Sequence, residues 1–191
     1  MGQRDELFWR LIERVHTRAL SYSEHLSGNS IDGSDIYQDA VIKAYGGFDK
    51  LHQIESFDPW FYRIINNTFR ERFRNPWWRQ VMSGFVELNR VDNSINPVEH
   101  LDARRRLDYA MKALSPNDRI IVTLAELDGW SIAEIAMMQG MTEGQVKMRL
   151  MRARGKMRQT LGARIRKSPI TETRTEGQEG YELSSGATET D

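Results

Sequence analysis

The stretch SIAEIAMMQGMTEGQVKMRLMRAR, residues 131–154, decides how this chain folds. Ser131 stands where a helix N-cap belongs, and Ile132, Ile135 and Ala136 form the inward side of a short helix. Gly140 follows it. Thr142, Glu143, Gly144 and Gln145 then form a capping box that opens a second helix running to about residue 161. The apolar positions of that helix, Val146, Leu150, Ala153 and Met157, recur at spacings of four, three and four. A short helix, a glycine-containing turn of three or four residues and a second helix make the helix-turn-helix hairpin that binds DNA.

The inward stripe fixes the outward one. Lys147, Met148, Met151, Arg152 and Gly155 face away from the core. Recognition helices read bases with their N-terminal, groove-facing residues. Lys147, Met148, Met151 and Arg152 are therefore expected at base edges or thymine methyls, with Thr142, Glu143 and Gln145 at the helix start within reach of bases or backbone. Arg149, Arg154, Lys156 and Arg158 lie on the flanks and suit phosphates, whose contacts give affinity and register while groove contacts give sequence choice. Charge agrees with this reading. The chain as a whole is neutral, with 27 basic and 27 acidic residues. Yet residues 144–167 carry nine basic side chains and no acid, whereas residues 168–191 carry six acids and one base. A solvated, basic amphipathic helix would explain the charge alone; it does not explain the short helix, the glycine turn and the capping box that come with it.

Working outward, the rest of the chain has helical period and no strand pattern. Within 98–167, Leu101, Leu107, Ala110, Met111 and Leu114 mark one helix. Ser115-Pro116-Asn117-Asp118 supplies a cap, a first-turn proline and an acid for the next, with Ile120, Ile121, Leu124 and Leu127 inward and Gly129 closing it. Nearer the N-terminus, Phe8, Leu11, Ile12, Val15, Ala19, Tyr22 and Leu26 line one face of a long helix. A second helix over 32–48 carries Tyr37, Ala40, Val41, Ala44 and Phe48, and a polar loop follows to Ser56. Asp58-Pro59 opens a third helix to about Arg74, with Trp60, Phe61, Ile64, Ile65, Thr68 and Phe73 inward. Opposite that core, Arg63, Asn66, Asn67, Arg70 and Arg74 recur at helical spacing. Cations and amides near aromatics suit single-stranded or distorted nucleic acid, although a solvated helix face would show the same pattern.

These segments predict an all-α protein of two small helical domains, 1–79 and 98–167. A flexible linker joins them over 80–97, and an acidic tail over 168–191 has too few apolar residues to offset its ordering entropy. With no cysteine, disulfides, thiolate zinc sites and cysteine nucleophiles are excluded. No apolar run approaches the roughly 18 residues of a membrane span, and the N-terminus lacks a signal-peptide pattern, so a cytoplasmic location is expected. His16, His25, His52 and His100 are scattered, and there is no glycine-rich phosphate loop. The acids between Asp32 and Asp39 are better explained by capping and partner binding than by a metal. No cofactor, metal or catalytic residue is expected.

Three motifs in order resemble a known family. Asp32-Gly33-Ser34-Asp35-Ile36-Tyr37-Gln38-Asp39-Ala40 resembles the D-x-x-D-h-x-Q-[DE] stretch of bacterial sigma factors. Phe57-x-x-Trp60-Phe61-Tyr62-Arg63-Ile64-Ile65-x-Asn67 resembles their F-x-x-W-L-x-x-I-A-x-N stretch. Residues 140–154 are similar to their G-[LM]-[ST]-x-x-x-V-K-x-R-L-x-R-A-R recognition helix. The order, the short linker and the lack of a middle domain match the minimal extracytoplasmic-function group, across about residues 5–165. Pro59, Asn66, Thr68, Met148 and Met151 depart from the family pattern.

The resemblance implies a non-enzymatic subunit that binds core RNA polymerase and directs initiation at chosen promoters. Asp32, Asp35, Gln38, Asp39, Ile42 and Lys43 would dock on the clamp helices of the largest polymerase subunit; capping and dipole compensation also account for Asp32 and Asp35. Arg63, Asn66, Asn67, Arg70 and Arg74, with the loop at 51–56, would bind the minus-10 element and hold a flipped-out base. The C-terminal hairpin would bind the minus-35 element as duplex, the linker would pass along the polymerase cleft, and an anti-sigma factor would hold the protein inactive. Trp77 and Trp78 have no family counterpart; packing on the first domain is the simplest reading. The acidic tail would regulate, or shield the basic helix from non-specific DNA. Two other readings use part of these features: a helix-turn-helix regulator that never meets polymerase, and a sigma-like mimic that only sequesters an anti-sigma factor.

Overall fold

The computed structural model describes residues 2–74 and 97–167. The linker, Trp77, Trp78 and the acidic tail lie outside them. Among the described residues there is no strand.

The first block is three helices. In α1 (Gln3–Ser27) the predicted stripe from Phe8 to Leu26 is buried. Gly28 ends it in the left-handed conformation (φ 85°), its N–H donating to the Glu24 carbonyl. α2 (Ser30–Gly47) starts two residues before the predicted start. Asn29 is the reason: its side-chain oxygen accepts from the Asp32 N–H at 2.8 Å. α1 and α2 approach so closely at Gly33 that a Cβ there would lie 2.5 Å from the Glu24 Cα. The polar loop contains two single 3₁₀ turns, Phe48–Lys50 and Ile54–Ser56, and leads into α3 (Phe57–Arg74). Phe8, Phe48 and Phe57 meet edge to face at centroid separations of 5.2 to 6.3 Å, and Phe57 stacks on Phe61 at 5.8 Å. Each such ring stabilises the fold by about 1.5–3 kcal/mol through burial alone.

The second block follows the predicted order. α4 (Pro97–Lys112) leads to α5 (Pro116–Val122), whose N-cap Ser115 accepts from the Asp118 N–H at 3.2 Å. The sequence predicts one continuous helix to Leu127. Instead Thr123–Leu127 winds as a wide π turn, in which the Asp128 N–H donates five residues back to the Thr123 carbonyl at 3.0 Å. The Thr123 hydroxyl shares the Arg119 carbonyl with its own backbone N–H, donating to it at 2.9 Å. Gly129 (φ 72°) then turns the chain towards α6 (Ile132–Gln139). α6 opens with a reciprocal box between Ser131 and Glu134, and Gly140 (φ 63°) ends it. The Ser131 hydroxyl and backbone N–H hold the Glu134 carboxyl below its ordinary pKa of 4.5. α7 (Glu143–Lys167) completes the hairpin. Val146, Leu150 and Ala153 are buried and Met157 half-buried, as their spacing predicts.

The two blocks also pack on each other, which no sequence pattern predicts. α3 touches α5 and α6, and α1 touches the π turn, so one apolar core runs through both. Arg119 of α5 is buried at this junction. Its guanidinium lies against Gly28, where an added Cβ would be 3.0 Å from Nη2, and burial pulls its pKa down to about 10.

Candidate nucleic-acid interface

The α7 face is built as its periodicity predicts. Lys147, Met148, Met151 and Arg152 are exposed in its first turns, above the buried Val146–Leu150–Ala153 stripe. Met141, Thr142, Gly144, Gln145, Met148, Arg149 and Arg152 line one shallow concavity at the head of the helix. Thr142 and Gln145 are already engaged there: the Gln145 N–H donates to the Thr142 hydroxyl at 3.2 Å, and the Thr142 N–H to Gln145 Oε1 at 2.9 Å. The box fixes the helix start, and Gln145 is exposed there. Glu143 is exposed and lies 3.5 Å from Lys147.

The flank cations are partly paired within the block. Arg149 and Lys156 lie 3.6 and 3.4 Å from Asp118, and Arg154 pairs with Glu126. Arg152 and Arg158 are exposed, with no ion pair among the described residues. These exposed pairs contribute little to stability. They hold the arginines along the edge of the helix.

The α3 face needs one correction. Arg63, Asn67 and Arg74 are exposed and Arg70 is half-buried on the same side, as predicted. Asn66 is not on that side. It is fully buried, and Oδ1 accepts from the Tyr22 hydroxyl at 2.5 Å. α1 and α2 cover one side of α3 and the second block covers another, so the buried arc is wider than the first block alone would make it. That arc takes in Tyr62, Asn66 and Phe69, while Trp60, Ile64 and Phe73 are only half-buried. Arg70 has three partners: Nη1 donates to Asn67 Oδ1 at 2.9 Å, Nε to Asn117 Oδ1 at 2.8 Å, and Nη2 to Gln139 Oε1. Burial is the main cause that lowers its pKa, and Arg63 and Arg149 lower it further by repulsion. The neighbouring loop is open, with His52, Gln53, Ile54 and Glu55 all exposed.

On α2 the predicted docking residues divide. Asp35, Gln38, Ile42 and Lys43 are exposed, with Ile42 70% accessible. Asp39 is half-buried against Arg72, whose Nη2 donates to it at 2.6 Å, and Asp35 lies 3.5 Å from the same guanidinium. Lys43 reaches Glu71 at 2.5 Å and Thr68 at 3.2 Å. Asp32 differs. It is 8% accessible and its carboxylate accepts from Asn29 Nδ2 at 2.6 Å, so it closes the start of α2 and is not part of the outer face.

Sequence reasoning missed Arg18, Asn117, Asp128, Trp130 and Gln139, which join the blocks beside the α3 face. One signal was available: Trp130, a large aromatic between a glycine and a helix cap, had no place in either predicted stripe. Among the described residues no three His, Asp or Glu side chains are grouped to hold a metal, and no helix is long and apolar enough to cross a membrane.

Comparison with known proteins agrees with this geometry. The family described as Sigma-70 region 2 matches residues 11–79, and Sigma-70, region 4 matches residues 104–157. The RNA polymerase sigma-E factor of Streptomyces avermitilis is 30% identical over 160 residues, 80% of this chain and 85% of that protein. The ECF RNA polymerase sigma factor SigM of Mycobacterium tuberculosis is 28% identical over 155 residues, 81% of this chain and 77% of that one. Among solved structures, the sigma factor RpoE of Bartonella quintana, crystallised with the anti-sigma factor NepR, shares the fold. Its TM-score is 0.63 at 22% identity, covering 81% of this chain and 96% of that one.

Proposed function

Because the chain belongs to the extracytoplasmic-function sigma factors of bacterial RNA polymerase, we propose how its faces divide the work of promoter-directed initiation. α7 reads the minus-35 element as duplex. Lys147, Met148, Met151 and Arg152 meet base edges, the exposed Glu143 and the outward groups of Thr142 and Gln145 act at the helix start, and Arg149, Arg154 and Arg158 meet phosphates. α3 binds the minus-10 element through Arg63, Asn67, Arg70 and Arg74, with the open loop at 51–56 beside them. The outer face of α2, with Asp35, Gln38, Asp39, Ile42 and Lys43, docks on the clamp helices of the largest polymerase subunit. Asp32 and Asn66 act within the fold and touch neither partner. The role is that of a cytoplasmic specificity subunit without chemistry of its own, and an anti-sigma factor is its regulatory partner.

The observation that carries this division is the exposed, acid-free face of α7 beyond Glu143, on a chain that also presents Ile42 bare among polar residues on α2. A DNA-binding hairpin accounts for the first and a protein partner for the second. Run-off transcription with core polymerase and a pool of promoters tests it. Initiation confined to a subset of promoters is expected. Initiation no more selective than that of core alone, beside an active control sigma, would overturn it.

A further inference from the structure

The second block carries an open apolar groove that no described side chain fills. Leu107 and Met111 of α4, Val122 of α5, Leu127 of the π turn, and Met157 and Leu161 of α7 line it, and it holds about 390 Å³. Clefts that bury a ligand run from about 300 to 1,000 Å³. Met111 and Val122 are the buried floor; Leu107, Met157 and Leu161 are half-buried, and Leu127 is 39% accessible. Glu126, Arg154 and Arg158 complete the lining. Glu126 is taken by Arg154. Arg158 is exposed, with no ion pair among the described residues. The groove therefore offers apolar walls and an uncompensated cation at its rim.

The occupant that fits is a segment of the same chain. α7 ends at Lys167, and at about 1.5 Å per residue that is roughly 9 Å beyond Leu161. Residues 168–180 reach up to about 45 Å when extended, ample to return along α7. The large apolar side chains of residues 168–191 are Ile170, Tyr181 and Leu183. Ile170 follows the helix end too closely to double back as far as Met157. Tyr181 and Leu183 alternate with Glu182, so an extended chain puts both on one face, and Glu179 shares that face. This pair matches the walls of the groove, and its neighbouring acids match the rim. Tethering raises the effective concentration to the millimolar range, so a contact of two side chains suffices.

We propose that the groove between α4 and α7 is an intramolecular docking site for Tyr181-Glu182-Leu183, with Glu179 and Glu182 within reach of Arg158 and Arg154. The effect on DNA rests on the phosphate roles given to those two arginines above. A docked tail and a duplex then compete for them. Lys147, Met148, Met151 and Arg152 stay uncovered, so docking weakens all duplexes alike and leaves the order of preference among minus-35 sequences unchanged. General screening by an acidic tail would depend on its net charge. Docking depends on two apolar side chains and persists when that charge is kept or screened.

The chain has no cysteine, so two introduced ones report the docking directly. Spin labels at Ser184→Cys, next to the apolar pair, and at Gln159→Cys, exposed on α7, are expected to give one narrow, short distance in the full chain. Tyr181→Ser with Leu183→Ser is expected to replace it with a long, broad distribution while keeping every charge of the tail. Leu127→Ser, at the exposed edge of the groove, is expected to do the same from the other side with helix content preserved. A broad distribution in the parent chain overturns the proposal, and so does a short distance that survives the loss of Tyr181 and Leu183. A short distance that vanishes when labelled chain is diluted into excess unlabelled chain places a second copy in the groove and overturns it too. If the tail is docked nine-tenths of the time and excludes duplex when docked, the double variant binds matched and scrambled duplexes about tenfold more tightly. A distance that opens as expected with duplex affinity unchanged upholds the docking and removes the phosphate roles of Arg154 and Arg158 instead.

Discussion

The α3 and α7 faces share a residue style, arginines and polar side chains opposite an apolar stripe, and differ in what surrounds them. α7 buries one narrow stripe against its own block and leaves Lys147, Met148, Met151 and Arg152 in solvent. α3 is covered from two directions, so one of its amides, Asn66, is core, and one of its cations, Arg70, is tied to the other block. A helix whose neighbours all lie on one side displays its chemistry in its periodicity. A helix covered from two sides does not, because polar residues inside the wider buried arc look the same in sequence as those outside it.

This contrast can be tested at positions where the two helices should respond differently. The largest effect is expected in the block that carries α3. Gly33→Ala places a Cβ against the Glu24 backbone, which cannot move aside as a side chain can, and should destabilise the first block by about 3 kcal/mol. A thermal unfolding midpoint lowered by several degrees is the expected result; an unchanged midpoint would show that α1 and α2 are further apart than described. Next come the paired asparagines. Asn66→Ala leaves the buried Tyr22 hydroxyl unpaired and should cost about 2 kcal/mol of stability without a direct loss of DNA contact. Asn67→Ala, on the exposed side, should leave stability within about 0.5 kcal/mol and weaken minus-10 binding. If both variants behave alike, the division of α3 into a core amide and a reading amide is wrong.

On α7 the expected effects concern selectivity. Arg152→Ala should reduce discrimination between minus-35 sequences by about 1–3 kcal/mol, whereas Arg158→Ala should weaken all duplexes alike. Competition binding with matched and scrambled duplexes separates the two. The smallest effect is at the head of the hairpin. The Glu134 carboxyl is held below its ordinary value of 4.5 by the Ser131 hydroxyl and N–H. A lowered folded-state pKa contributes stability that is complete above the ordinary value and lost as pH falls through the folded one. The first turn of α6 should therefore lose amide-exchange protection on acidification below about pH 4.5. Glu134→Gln should remove that pH dependence, and its persistence in this variant would assign it elsewhere.

How much of this was legible in sequence follows from the same contrast. The hairpin was readable because Ser131, Gly140 and Thr142 act on neighbours three or four residues away, and local chemistry decides local structure. The α1 stripe was readable for the same reason. Asn66 was misread because the group that satisfies it, Tyr22, is 44 residues earlier; for Asp32 the capping reading holds, since its partner Asn29 closes a helix that starts before the acidic motif. The π turn is a one-residue shift in the backbone ladder, from Asp128 N–H to the Thr123 carbonyl, which leaves no trace in apolar spacing. The contact of Arg18 with Asp128 spans 110 residues and two blocks, each of which has a complete periodic pattern without it.

The ion pairs along α7 bear on how duplex binding responds to salt. Nine basic residues over 144–167 suggest a steep loss of affinity, since each phosphate neutralised releases condensed counterions from the DNA. But Arg149, Arg154 and Lys156 already lie beside Asp118 and Glu126. To meet a phosphate each must leave its carboxylate, and the carboxylates then gather cations from solution. Part of the ion release is returned in that exchange. On the proposed phosphate roles of these residues, duplex affinity is expected to fall less steeply with salt than a count of the cations implies.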